Sequence, residues 1–147
     1  MKKALLALSL LALLWWGSPA AAQNFQADNA LAVQSYIVAN NTTALQVCAQ
    51  NCRIYQIDSF SNGTTLAYIK LYNAATATCG SGTPQWRGMI PYGTSSSGGG
   101  FSLPWVNGDS YSKGAWLCVT TGIADNDTGA PAATTYIVNI HFKRFTP

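Results

Sequence analysis

The 147-residue chain has no glutamate, a single histidine, and only eight Lys or Arg against five Asp. Acid–base pairs and metal-ligand sets therefore have few side chains to draw on, which disfavours most hydrolase and metalloenzyme classes before any motif is sought. Long amphipathic helices are missing too: no stretch keeps a 3.6-residue apolar period over three turns. Beyond the first residues no apolar run is long enough to span a bilayer.

What is present begins with an export signal. Met1-Lys2-Lys3 gives a positive start, Ala4 to Trp16 is apolar apart from Ser9, and Gly17 to Ala22 ends in an A-x-A pattern. This reads as a signal peptide over residues 1–22, cut after Ala22, with a single domain over residues 23–147. No Cys follows the apolar run, so a lipoprotein anchor is not expected, and the mature chain should be secreted or periplasmic. Removing Lys2 and Lys3 leaves six basic residues against five Asp, so the sequence pI of about 8.7 belongs largely to the leader. Without a basic stripe, neither nucleic acid nor a membrane is an expected partner of the mature protein. Low charge also makes solubility depend on assembly or on a neutral hydrated surface.

The mature chain alternates β-branched and aromatic runs with turn clusters, the pattern of an antiparallel sandwich. Eight strands are expected: Ala32–Ala39, Ala44–Val47, Arg53–Phe60, Thr65–Asn73, Gln85–Pro91, Gly100–Leu103, Ala115–Thr121 and Thr134–Lys143. Their number in one short domain favours an all-β, jelly-roll-like sandwich. Alternation sends Ala67, Ile69 and Leu71 inward and sets Tyr68, Lys70 and Tyr72 on the opposite face. In the last strand it buries Tyr136, Val138, Ile140 and Phe142 and turns Asn139, His141 and Lys143 to water. Gly93 to Gly100 reads as a mobile connection, and Pro104, Gly108 and Gly129-Ala130-Pro131 read as turns.

All four cysteines lie in the exported part, where disulfides persist. The favoured pairing is Cys48 with Cys52, across a hairpin turn at Ala49-Gln50-Asn51, and Cys79 with Cys118, tying a long loop to a strand. The C-x3-C spacing lacks the paired knuckles of a zinc site, and no metal or cofactor is expected. Asp125-Asn126-Asp127-Thr128-Gly129 has acids at alternate positions, like a calcium loop, but lacks the later Glu and reads as a self-capped turn. His141 has no G-x-S-x-G nucleophile to serve and reads as a surface histidine, so no catalytic residue is assigned. The remaining candidates for a ligand or an interface are Tyr68, Lys70 and Tyr72 on one strand face, with Trp86, Trp105 and Trp116.

Several runs in order, among them Asn40 to Ala44, Ile54 to Phe60, Ala67 to Asn73, Gly99 to Leu103, Gly122 to Thr128 and Tyr136 to Ile140, resemble small structural proteins of tailed bacteriophages. That resemblance spans Val33 to Lys143 and implies a β-sandwich that assembles on or decorates a virion and performs no chemistry. The signal peptide and the cysteines are additions to the pattern and suit an exported form. The expectation is an exported, non-enzymatic domain acting by binding or self-association, its partner a second copy or a protein or virion surface. A secreted carbohydrate-binding module is the alternative, with a glycan as partner; a secreted enzyme is the least favoured.

Overall fold

Strand formation follows the two-residue alternation wherever β-branched and aromatic residues occupy every second position. The computed structural model describes residues 32–37, 43–94, 98–132 and 136–145. The expected signal peptide, the lead-in to Leu31, residues 38–39 of the first expected strand and 134–135 of the last lie outside them. The strands are β1 (Ala32–Ile37), β2 (Leu45–Cys48), β3 (Cys52–Ser61), β4 (Ala67–Asn73), β5 (Trp86–Ile90), β6 (Gly99–Tyr111), β7 (Ala115–Thr120) and β8 (Tyr136–Arg144). No helix occurs among the described residues.

Two four-stranded antiparallel sheets form, ordered β1-β8-β3-β6 and β2-β7-β4-β5. Pairing is nested: β1 with β8, β2 with β7, β3 with β6 and β4 with β5. One long hairpin is thus rolled over on itself, which is the jelly-roll arrangement the strand count favours. Between the sheets lie Ile54, Ile57, Ile69, Leu71, Ile90, Leu117, Val138, Ile140 and Phe142, each buried. Each contributes about 1.5–3 kcal/mol relative to exposure. The inward set of β8 is Tyr136, Val138, Ile140 and Phe142, as alternation requires. The Tyr136 hydroxyl, fully buried, donates to the Thr65 carbonyl at 2.7 Å.

The first disulfide does not close a hairpin. Cys48 ends β2 in one sheet and Cys52 begins β3 in the other, so Ala49-Gln50-Asn51 is a corner between sheets. The β6–β7 connection makes the same change alongside, with Cys52 opposite Tyr111 and Cys48 opposite Ala115. The two corners stack: Asn51 N–H donates to Ser112 O at 3.3 Å, and Phe145 N–H to Asn51 O at 2.7 Å. Gly114 is required here, because its φ of 115° is left-handed and a Cβ would stand 2.4 Å from Ala49 O.

A second irregularity sets the polar face. Ile54 pairs with Phe142 and Gln56 with His141, leaving Tyr55 as an extra residue in β3. On the other side the register jumps from Asp109 to Pro104, so Trp105 to Gly108 bow out opposite Tyr55. The expected turn signals at Pro104 and Gly108 therefore mark a bulge inside a 13-residue β6, not the end of a short strand. Proline is tolerated because β6 is an edge strand. The bulge changes the inward phase of β3 from Cys52 and Ile54 to Ile57 and Ser61, which turns Gln56 and Asp58 outward.

Cys79 and Cys118 are bonded as expected, with Cα atoms 5.6 Å apart, and tie the β4–β5 loop to the outer face of β7. The Cys48–Cys52 Cα atoms are 6.5 Å apart. Two bridges lower the intact mass by about 4 Da relative to the reduced chain, and peptide mapping should return these two pairs. By loop closure, Cys79→Ser should cost about 4 kcal/mol and Cys48→Ser about 2 kcal/mol in denaturant unfolding. The reverse order would show that the corner, not the long loop, carries the larger constraint.

Candidate functional site

The aromatic and basic positions singled out by alternation are mostly absorbed by packing. Tyr68, Lys70 and Tyr72 do share the outer face of β4, but loops cover two of them: Lys70 is 0% and Tyr72 3% exposed, while Tyr68 is half-buried. Tyr72 packs with Ala44, Cys79, Cys118 and Trp116 in a second apolar cluster outside the sheet. Burial pushes the pKa of its hydroxyl up, against a smaller opposing effect of the Gly80 backbone. Trp116 is fixed there by its indole N–H, which donates to Ala74 O at 3.0 Å. Trp86 and Trp105 meet edge to face, centroids 5.3 Å apart, where the edge strands β5 and β6 of the two sheets converge. Gly88 leaves room for Trp86, since a Cβ there would stand 2.2 Å from its ring. Trp86 and Trp105 thus close the seam between the sheets and Trp116 packs under the disulfide-tied loop, so the three do not form one open platform.

Lys70 explains the acidic turn. Its ammonium donates to the carbonyls of Ala124, at 2.5 Å, and Asp127, at 3.3 Å. Asp127 Oδ1 accepts from Gly129 N–H at 2.8 Å, and Asp125 pairs with Arg87 through Nε at 2.7 Å. The segment that resembles a calcium loop is therefore wrapped around an ammonium group supplied by β4. Burial lowers the Lys70 pKa, opposed by the charges of Asp127 and Asp125. Among the described residues no group of three or more His, Cys, Asp or Glu side chains converges as a metal site would require.

The outer face of the other sheet carries a polar network that reaches across three strands. Asp58 of β3 lies opposite Ser102 of β6 and Asn139 of β8. Gln56 Nε2 donates to Asp58 Oδ1 at 2.8 Å and to Ser102 Oγ at 3.2 Å, and His141 Nε2 lies 2.9 Å from Asp58 Oδ2. Burial alone would raise the Asp58 pKa, but hydrogen bonds from Gln56, Ser102 and His141, with the His141 charge, outweigh it and hold the carboxyl below its ordinary value. The carboxylate sits between serine and histidine. A nucleophilic relay needs the imidazole in that middle position, so the order here binds a carboxylate and does not activate Ser102. His141 faces outward as expected, yet as the partner of Asp58, a contact that only the β3 bulge makes available.

At the end of the sandwich away from the corner, apolar side chains stand in solvent: Phe60 is 49%, Leu66 37%, Met89 50% and Tyr92 59% exposed. They share this end because Gly93 N–H donates to Gly63 O at 2.8 Å, joining the β3–β4 turn to the loop after β5. Phe60 lies over Gly98, whose Cβ would meet its ring at 2.2 Å. Compared with family models, with curated proteins and with solved structures, the chain finds no match in any of the three.

Two substitutions test these assignments. Lys70→Met removes the donor for two carbonyls and should destabilise by about 1–3 kcal/mol, with faster amide exchange over residues 121–129; unchanged exchange would show that the loop holds itself. The lowered Asp58 pKa means that its contribution to stability is full above the ordinary carboxylate range and is lost as pH falls through the folded value. Asp58→Asn should therefore flatten the decline of the melting temperature below about pH 4.

Proposed function

We propose that this is an exported, disulfide-stapled jelly-roll domain that works by self-association or by binding another protein surface, with no chemistry of its own. The observation that carries the reading is the apolar end: four large side chains, Phe60, Leu66, Met89 and Tyr92, are exposed around one end of the sandwich, Phe60 on the outer face of one sheet and Met89 on that of the other, on a chain with little charge to keep copies apart. Aromatic residues and Met are the types enriched at the centre of protein interfaces. The two disulfides are compatible with an oxidising compartment, and the start of the sequence supports export. The resemblance to small virion proteins of tailed bacteriophages points the same way, towards a structural or decorating role.

The carbohydrate-binding alternative loses support at the face first assigned to it, because Lys70 and Tyr72 lie beneath loops. An enzymatic role finds little support in the order of Ser102, Asp58 and His141.

Light scattering on the mature, oxidised protein tests the proposal. Self-association gives a defined oligomer whose population rises with concentration and falls in Phe60→Ser and Tyr92→Ser. A monomer at all concentrations, together with failure to retain any protein partner from the native secretion, would overturn the reading.

A further inference from the structure

Two Asn-Gly pairs occur in the chain, Asn62-Gly63 and Asn107-Gly108. In such a pair the glycine nitrogen can reach the carboxamide carbon of the preceding asparagine, because no side chain stands in the way. The fold treats the two pairs differently. Asn62 is exposed, but Gly63 is buried and held on both sides: its N–H donates to Ser61 Oγ at 3.1 Å, and its carbonyl accepts from Gly93 N–H at 2.8 Å. The Gly63 nitrogen can attack only when the turn opens and these bonds are given up.

Asn107 and Gly108 lie in the bow of β6, where the ladder to β3 has no pairs between Pro104 and Asp109. Val106 is 97% exposed at its tip, and Asn107 is exposed beside it. The bow imposes a glycine after Asn107: the φ of Gly108 is +69°, and a Cβ there would stand 3.1 Å from Arg53 Cβ and from the Tyr55 ring. The peptide unit joining the two residues also has a cation against it, since its oxygen, Asn107 O, accepts from Arg53 Nη1 at 3.4 Å. When the Gly108 N–H loses its proton, the negative charge is shared with that oxygen. A guanidinium at this place therefore favours the nucleophilic form of the amide.

We propose that Asn107 is a site of spontaneous deamidation, promoted by Arg53. The Gly108 nitrogen gives its proton to solvent and bonds to Asn107 Cγ; the Cγ–Nδ2 bond breaks and ammonia leaves, which closes a cyclic imide. Water then adds to either ring carbonyl and opens the ring to aspartate or isoaspartate, so no oxidant or reductant takes part. The product places a carboxylate on the bow that Arg53 contacts, and the balance over residues 23–147 moves from six basic against five acidic to six against six. A chain that starts with little charge thereby loses the net charge it has. This inference goes beyond self-association and does not depend on it.

Peptide mass spectrometry tests it, with the mature, oxidised protein incubated in mildly alkaline buffer beside the reduced, denatured chain. In the parent chain tryptic peptides 54–70 and 88–113 each carry one of the two asparagines, and conversion adds about 1 Da. Asn107 should convert at least as fast in the folded protein as in the denatured chain, with isoaspartate among the products. Asn62 should be slowed by folding at least about tenfold. Arg53→Gln should slow Asn107 about tenfold in the folded protein and leave the denatured rate unchanged, whereas Arg53→Lys, which keeps the charge, should retain most of the parent rate. Asn62 reports on folding in each variant, because its protection is lost if the β3–β4 turn opens. Either of two results overturns the proposal: Asn107 converting more slowly folded than denatured, or converting in folded Arg53→Gln at the parent rate.

Discussion

The passage of the chain from one sheet to the other at Cys48–Cys52, beside the matching passage at Tyr111–Ala115, is the constraint on which the other features depend. A nested hairpin of eight strands can lie flat or roll, and only the rolled form buries Ile54, Ile69 and Leu117 against one another. Rolling requires both strands of the hairpin to bend at the same point. The bend in one is held by a covalent bridge across three residues, and in the other by the left-handed Gly114 seated against Ala49. Because the corners stack, the end of β8 is drawn in as well, through the Phe145 to Asn51 hydrogen bond. That contact brings Lys143 and Arg144 beside Arg53, so the cationic end is a by-product of how the roll is closed.

The bulge opposite Tyr55 is the second device, and it sorts polar from apolar. Without the extra residue, β3 would continue to point even-numbered side chains inward and would bury Gln56 and Asp58 in an apolar core, at a cost of several kcal/mol for the charge alone. With it, Ile57 enters the core and Asp58 finds Gln56, Ser102 and His141 on the outer face. The same slip in β6 bows out Trp105 to Gly108 and carries Trp105 to Trp86, closing the seam between the edge strands. One local insertion thereby serves both a polar surface network and the packing of the two sheets.

Period-two alternation is a local signal, which is why the presence of eight strands and the inward faces of β4 and β8 were legible in the sequence, while the length of β6, expected to end at Leu103 and running to Tyr111, was not. Features that depend on what lies over a sheet were not. The outward position of Lys70 follows from alternation, but its burial depends on a loop more than fifty residues away reaching it with two carbonyls. Tyr72 and Trp116 were hidden in the same way, by the disulfide-tied loop at Cys79. A partial clue exists in β7, whose Ala-Trp-Leu-Cys-Val-Thr run is apolar on both faces, as befits a strand covered on both sides. The His141–Asp58 contact had no sequence signal at all, since it needs the register slip at Tyr55.

Charge shows most plainly why a linear balance misleads. Six basic and five acidic residues spread along residues 23–147 suggest an even, weakly charged surface. Folding removes that evenness, because Asp125 pairs with Arg87, Asp127 caps Gly129 N–H and Asp58 is held by Gln56 and His141, while Arg53 and Lys143 stand opposite each other at the corner end. The two ends of the roll consequently respond to salt in opposite senses. Covering apolar surface such as that of Phe60, Met89 and Tyr92 is favoured as excluded salts are added, whereas the field of the charges at Arg53 and Lys143 is screened within about 8 Å at physiological ionic strength. Salt therefore acts in opposite senses on the two ends, a difference that the linear sequence does not display.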